Sequence, residues 1–480
     1  MNIPLVLKTI GLFLLLLALT MLIPLFWAFY FHEPSAPFLQ SIGSATFTGG
    51  LLYFCFRKEH RNPQRKDGFA IVVLCWISAA AFGSLPYLFG GVFTGAADAF
   101  FETMSGFTTT GASVMQDIES VDKSILFWRS QTHWLGGMGI IVLFVAILPF
   151  LGTSGRQMFH SEAPGPMKDS LKPRIIETAR VLWFIYLGFT VLETVLLMTA
   201  GLSLFEALCH TFGTLATGGF STRNASIASF QSPYVEWIIT VFMLAAGANF
   251  ALYYHMLGRR MEKVYKDTEV RTYLKIFIFG TLFVFLVLMF TQNSGITETI
   301  RVSAFQCASI LTTTGYCTAD FNQWHASVKI VLVIFMFIGG SGGSTGGGMK
   351  VVRVLLLYKV MKKELIRIVH PSAVEVVKLG DMQVEDGVVR NVVGFFVLAI
   401  FIFLTGTIFI AMSGADMVTS ASAVAATMWN IGPGLEKVGA VENYAFFSTG
   451  AKFFLSLLML VGRLELFTVI VLFTPIFWRK

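Results

Sequence analysis

Between Leu5 and Phe477 the sequence keeps returning to apolar stretches of about twenty residues or more, and no other feature restricts its folding as tightly. A helix crosses the roughly 30 Å hydrocarbon of a bilayer in about 20 residues. Inside lipid every backbone N–H and C=O must find a partner within the chain, which leaves only helices or closed barrels. Barrel strands would alternate polar and apolar residues over segments of about ten residues. The stretches here are continuous, so helices are expected at about 5 to 31, 38 to 56, 69 to 90, 125 to 150, 180 to 201, 233 to 258, 273 to 292, 326 to 355, 390 to 412 and 446 to 477. With 55% hydrophobic and 13% charged residues, the composition excludes an ordinary soluble domain. The fold class is an all-α polytopic membrane protein.

The first apolar stretch is longer than the hydrophobic part of a signal peptide and no small-residue cleavage site follows it, so it is expected to be retained. Lys and Arg accumulate on the cytoplasmic side of spanning helices. Alternating sides along the ten stretches puts 27 of the 35 basic residues on one face, with Lys8 and Arg479-Lys480 among them. Both termini are therefore expected in the cytoplasm. The net charge of +7 follows from this topology and carries no implication of nucleic-acid binding. The five cysteines lie in or near apolar segments without C-x-x-C spacing, a pattern that points to neither a metal site nor a disulfide framework.

Between spans, a short motif recurs. TTTGYC contains Thr313, Thr314 and Gly315; relatives of it contain Thr109, Thr110 and Gly111, then Ala216, Thr217 and Gly218, then, more weakly, Asn430, Ile431 and Gly432. Aligned in this way the glycines are 107, 97 and 117 residues apart, which reads as a fourfold internal duplication. Each copy follows a semi-polar stretch too short to cross a bilayer: ADAFFETMSGF, LFEALCHTFGT, IRVSAFQCASI and TSASAVAATMW. The pattern is helix, short re-entrant helix, glycine-bearing loop, helix. It predicts an N-terminal two-helix extension at 1–66 and repeats at 67–172, 173–265, 266–370 and 371–480.

Non-helical backbone at membrane depth is tolerated only where it is buried in protein or lines a watery cavity. Four loops entering from one side imply a shared axis, with the negative ends of four half-helices favouring a cation there. Carbonyl oxygens turned inward would then replace an ion's hydration shell. Pro433 after Gly432 is compatible with this reading, because carbonyl coordination needs no N–H. The competing reading is that Thr and Gly serve close helix packing, which one copy alone would permit.

A second set of small residues follows each loop: Gly136-Gly137, Gly247-Ala248, Gly339-Gly340 and Gly462-Arg463. In the third repeat it expands into GGSGGSTGGGMK, covering Gly339, Gly340, Ser341, Gly342, Gly343, Ser344, Thr345, Gly346, Gly347, Gly348 and, past Met349, Lys350. At up to about 1 kcal/mol per glycine this run predicts a break into a loop beneath the filter. Arg463, aligned with Gly340, places a charge well inside a span, where charges face a cavity or a partner. Loop and arginine together form a candidate barrier, the alternatives being a rigid kink and an Arg463 paired with Glu465 or with helix carbonyls. Gly339 to Gly343 also matches G-x-S-x-G, but no strand precedes it and no His and Asp pair is evident at matching depth, so an intramembrane hydrolase is disfavoured and no enzyme is expected.

These motifs together resemble the Trk/Ktr/HKT superfamily of potassium-translocating proteins, specifically its bacterial TrkH type. The likeness rests on TTTGAS, ATGGFST, TTTGY, the GGSGGSTGGGMK loop and GRLE. It implies four helix–pore helix–helix repeats in pseudo-fourfold arrangement around one pore, passing K+ and also Rb+, in a bacterial inner membrane. It also implies a homodimer docked on a cytosolic RCK-type regulatory ring (TrkA-like), with NAD or ATP/ADP bound by that partner; this chain shows no dinucleotide fingerprint. The other class that remains is a cation-coupled secondary transporter (K+/H+ or K+/Na+ symport), which also has broken helices but needs inverted repeats. Asp98, Glu102, Asp117, Glu119 and Asp122 are candidates for drawing cations to the outer mouth, with ordinary solvated loop residues as the alternative. The basic segments 151 to 180 and 359 to 387 are candidate docking surfaces for the ring or for lipid headgroups.

Overall fold

Where the first two apolar stretches meet, glycine sets the spacing. Ile3–Thr20 continues into Leu22–Tyr30, and Ala36–Phe56 returns beside it. A Cβ on Gly11 would lie 2.7 Å from the Gly49 oxygen, and one on Gly49 2.8 Å from the Gly11 oxygen. The two backbones are therefore in contact, the way helices associate in lipid, where apolar burial alone offers little drive. The computed structural model describes residues 1–59, 64–151, 174–258, 261–292, 295–372, 375–380 and 382–479.

Four helix–short helix–helix runs follow. They are Arg65–Gly83 with Leu85–Phe89, Ala96–Phe107 and Lys123–Leu151; Arg174–Thr199, Leu204–Leu215 and Pro233–Ala246; Thr268–Thr291, Ile296–Leu311 and Ala326–Ile338; and Asp386–Ala411, Met417–Met428 and Thr449–Arg463. Among the described residues five helices are long and apolar enough to cross a membrane: Ile3–Tyr30, Arg65–Phe89, Arg180–Thr199, Thr268–Thr291 and Asp386–Ala411. Their outward residues are large and apolar, Phe26, Phe279, Phe290, Phe401 and Ile408 among them. Such a surface is solvated by lipid tails and would be a liability in water.

Two stretches expected as single spans are broken. Pro233–Ala246 and Phe250–Met256 meet at 96°, and Thr449–Arg463 and Phe467–Phe473 at 116°. In the first, Asn249 leaves the helical region and its side chain caps the new helix by accepting from Ala251 N. In the second, Glu465 and Leu466 have φ of 59° and 48°. A helix cannot continue through residues in the left-handed region. The third repeat breaks after Ile338 and restarts at Val351 as Val351–Val369. A small antiparallel ribbon, Lys378–Leu379 with Met382–Gln383, also lay outside the helical expectation.

In their C-terminal halves the short helices are buried on all sides, which explains their semi-polar composition. Several of their threonine hydroxyls are satisfied within the helix: Thr103 donates to Ala99 O (2.6 Å), Thr214 to His210 O (2.8 Å) and Thr427 to Ala423 O (2.7 Å), whereas Ser105 and Ser303 Oγ are buried without a partner among the described residues. Back-bonding of this kind lets a threonine sit in a dry interior without an orphaned donor. The final helix of each run packs on the short helix of the next: Lys123–Leu151 on Leu204–Leu215, Pro233–Ala246 on Ile296–Leu311, Ala326–Ile338 on Met417–Met428, and Thr449–Arg463 on Ala96–Phe107. The succession of contacts closes on itself.

Gly49→Leu should force the first two helices apart, costing about 1–3 kcal/mol as an overpacked contact does. The measurement is the thermal midpoint of the detergent-solubilised protein. A midpoint equal to that of the parent would mean the Gly11–Gly49 contact contributes nothing.

Candidate ion pathway

Each short helix ends in the same hydrogen-bonding pattern. Thr109, Thr217, Thr313 and Asn430 take φ of 53°, 53°, 62° and 55°, and each donates its N–H to a carbonyl three residues back. The next residue, Thr110, Gly218, Thr314 or Ile431, donates to the carbonyl five residues back at 2.8–2.9 Å. This is a Schellman termination, in which the left-handed residue is usually glycine. Here it is a threonine three times, an uncommon and strained choice for a β-branched residue, of order 1–3 kcal/mol each.

The following position is glycine in every case: Gly111, Gly219, Gly315 and Gly432, with φ of 81°, 79°, 83° and 93°. The four are mutual neighbours. A Cβ on Gly111 would run into the carbonyl oxygen of Gly218, one on Gly219 into that of Thr314, and one on Gly315 into that of Ile431; on Gly432 it would lie 2.7 Å from the oxygen of Thr110. The loops thus form a closed circle in which each glycine backs onto the preceding residue's carbonyl in the next loop. Glycine is required twice over, by φ and by the approach of a neighbouring backbone.

This corrects the alignment of the second loop by one residue. Gly218 does not match Gly111, Gly315 and Gly432; Gly219 does, and Gly218 takes the place of Thr110, Thr314 and Ile431. Ala216 caps the helix as Thr108, Thr312 and Trp429 do, and Thr217 matches Thr109, Thr313 and Asn430. Sequence offered two adjacent glycines, and only the backbone angles separate them.

Side chains at the left-handed position form the inner rim of this circle. Thr313 Oγ1 accepts from Gly347 N at 2.6 Å, and Asn430 Nδ2 donates to Thr110 Oγ1 and Met459 O, both at 2.9 Å. From behind, Tyr444 donates to Gly432 O (2.8 Å), and Tyr316 to Phe220 O (3.2 Å) and His210 O (3.1 Å).

The glycine-rich segment lies under the rim. Gly339 has φ of 73°, which ends the helix, and Lys350 at 77° precedes its successor. Gly348 N donates to Trp429 O (3.0 Å), Thr345 Oγ1 to Leu215 O (2.9 Å) and Ser341 N to Gly247 O (2.8 Å). Gly340, Gly343, Ser344 and Gly346 fill the turn between these anchors, with Ser344 Oγ donating to Ser341 O at 2.7 Å. Ser341 Oγ is buried with no partner among the described residues. The small residues after three of these loops have a packing reason: a Cβ on Gly137 would lie 2.8 Å from Ala216, on Gly247 2.8 Å from Thr312, and on Gly347 would strike Trp429 O. These are the caps of the neighbouring short helices. By this criterion Gly247 matches Gly137 rather than Gly136.

Arg463 is buried, and among the described residues it bonds neither Glu465 nor any other carboxylate. Its guanidinium donates to Thr345 O of the loop (2.7 Å) and to Gly136 O of the first run (2.9 Å). Glu465 instead pairs with Arg353, just past the loop, and the Lys350 ammonium bonds Gly346 O. A positive charge thus sits against the loop at the depth of the helix breaks.

Of the outer acids, Glu102 is removed from the mouth. It is fully buried, pairs with Arg129 Nε at 2.7 Å and accepts from Val114 N at 2.9 Å. Arg129 also donates to Ser221 O (2.9 Å) and lies over the Phe220 ring, 3.5 Å from its centroid. The pair thereby ties the outgoing strands of the first two loops together. Arg129 was detectable as a charge within an apolar stretch; its partner was not. Asp98 is paired with Lys452 at 2.5 Å. Asp117 is exposed, and the Asn224 amide bonded to it (2.9 Å) holds its carboxyl below the usual range, while burial raises Asp122. Of the basic segment 151 to 180, residues 152–173 lie outside the described residues.

Three comparisons bear on this arrangement. Residues 35–480 match the TrkH family, described as cation transport protein. The Trk system potassium uptake protein TrkH of Halomonas elongata is 41% identical over the whole of both chains, and that of Escherichia coli K12 is 41% identical over 98% of this chain and 99% of its own. The crystal structure of the potassium transporter TrkH from Vibrio parahaemolyticus superposes with a TM-score of 0.90 at 38% identity, covering both chains completely.

Arg129→Met would leave Glu102 buried without a counter-charge, at a cost of about 3–5 kcal/mol. Replacing both, Glu102→Gln with Arg129→Met, should recover part of that loss. Thermal unfolding of the three proteins checks the ranking.

Proposed function

The chain belongs to the TrkH family of cation transport proteins, and from that premise we propose that it conducts K+, and Rb+ with it, through a filter of backbone carbonyls across a bacterial inner membrane. The observation that carries the reading is the closed circle of Gly111, Gly219, Gly315 and Gly432 against the carbonyls of Gly218, Thr314, Ile431 and Thr110. Carbonyls ringed in this way, at the negative ends of four half-helices, replace the water around a dehydrated alkali ion. Ions are substrate here, and the chain supplies oxygen atoms and a path. The four runs are read as pseudo-fourfold repeats around one pore, behind the two N-terminal helices, with both termini in the cytoplasm.

Segment 339–350 and Arg463 are assigned the barrier. A loop held beneath the filter by backbone hydrogen bonds is displaceable at modest cost, since each is worth about 1 kcal/mol net. A guanidinium beside it repels a cation that has shed its water. The relatives are named as parts of a Trk system. In keeping with that name, this chain is read as one component of an assembly: a homodimer on a cytosolic RCK-type ring that binds NAD or ATP/ADP. The extended helix Val351–Val369, with Lys362 and Arg367 exposed, offers that ring a basic surface continuous with the loop.

Flux of K+, Rb+ and Na+ through the purified protein in liposomes, under varied pH gradients, tests the reading; K+ uptake that needs the gradient would favour coupled transport. Gly315→Ser and Gly219→Ala should each lower the K+ to Na+ flux ratio by roughly tenfold, because a side chain at these angles distorts the carbonyl circle. In a His133→Ala background, which clears the ring lying against Gly218, Gly218→Ala should leave the ratio near its starting value. The reverse ranking would put Gly218 back in the filter register.

Arg463→Ala should raise K+ flux by roughly tenfold, as loss of the latch on Thr345 O and of the fixed charge would. Equal or lower flux in folded protein would remove the barrier role.

A further inference from the structure

The loop is gripped by one carboxylate that has no part in the filter or in Arg463's contacts. Glu269 lies in the first turn of Thr268–Thr291, where Asp267 caps the helix by accepting from Val270 N. A single oxygen of Glu269 accepts from Gly342 N at 2.6 Å and from Val352 N at 3.1 Å. These two amides flank most of the glycine-rich segment. The N–H of Val352 is one of the first-turn donors that a helix cannot satisfy by itself. Its own cap residue, Lys350, gives no side-chain cap, since an ammonium has no acceptor to offer an N–H; it donates to Gly346 O instead. Glu269 therefore caps Val351–Val369 from another helix, at the end where a negative charge is favoured. Next to it, Gly343 O accepts from Phe250 N at 3.1 Å, so the carboxylate and the break in the second run hold adjacent residues of the loop.

We propose that Glu269 is the positioning residue that keeps the 339–350 loop in the ion path, so that withdrawing its carboxylate opens the path without altering the filter. The inference rests on the barrier role assigned to that loop above. Both amides lose their partner together when the inner end of Thr268–Thr291 shifts, which gives a movement at the inner face a direct route to the loop.

The test is K+ and Na+ flux through the full-length protein in liposomes. Glu269→Ala should raise K+ flux by roughly tenfold, as expected for losing a charge-assisted pair of hydrogen bonds. The K+ to Na+ ratio should not change. Glu269→Gln, whose amide oxygen still accepts, should stay within about twofold of the parent. If Glu269→Ala leaves flux unchanged while Arg463→Ala raises it, Glu269 has no positioning role and the barrier stands; if neither raises flux, the barrier reading falls and this inference with it. Should Glu269→Ala fail to fold, amide hydrogen exchange in Glu269→Asp decides: faster exchange at Gly342 and Val352 supports the role, and exchange equal to the parent's overturns it.

Discussion

Backbone meeting backbone is the contact on which this structure depends. Four loops can be drawn together until a glycine α-carbon rests on a neighbouring carbonyl only because the position holds no larger side chain, and each glycine is paired in this way with the next loop around. The same device recurs one layer inward, where Gly137, Gly247 and Gly347 let the final helix of the first two runs, and the loop of the third, press on the next short helix. Two tiers of glycine thus set the diameter of the assembly. Apolar burial could not do so, since lipid tails solvate apolar side chains as well as a protein core does.

Bringing irregular backbone to membrane depth has a cost that the surroundings must offset. Three threonines and an asparagine sit in the left-handed region. Their Schellman bonds recover the carbonyls left open at each helix end, and Tyr316 and Tyr444 hold carbonyls of the outgoing strands from behind. The buried Glu102–Arg129 pair serves the same purpose further out, satisfying strand groups that neither water nor a helix can reach. Such a pair adds little to net stability against an apolar alternative. Its contribution is to fix one strand against another.

Under the circle of glycines the logic changes from rigidity to balance. The glycine-rich loop is held by single hydrogen bonds to parts of all four runs: Gly247 O and Leu215 O, Thr313 Oγ1, Trp429 O, and through Arg463 also Gly136 O. No apolar side chain anchors residues 339–348, because the segment has none. An element held this way has few contacts to lose when it moves, which is the property a movable barrier needs.

Much of this was legible in the chain itself. The five long apolar helices, the four short helices, the break at Gly339 and the buried charge at Arg463 follow from local quantities: run length, the polarity of about a dozen residues, the cost of glycine in a helix, and the cost of charge in hydrocarbon. Tertiary structure decided the rest, because it turns on which groups meet across long separations. Gly218 and Gly219 are indistinguishable as letters; the left-handed φ of Gly219 and the Thr314 carbonyl behind it, against the His133 ring behind Gly218, tell them apart. Arg463 could have paired with nearby Glu465; packing instead carried it to Thr345 O and Gly136 O, and gave Glu465 to Arg353. Glu102 stands among mouth acids in sequence yet points inward, since an arginine 27 residues away is buried beside it. The bends at Asn249 and Leu466 are invisible to hydropathy, which averages over a span and does not register the few dihedral angles that interrupt it.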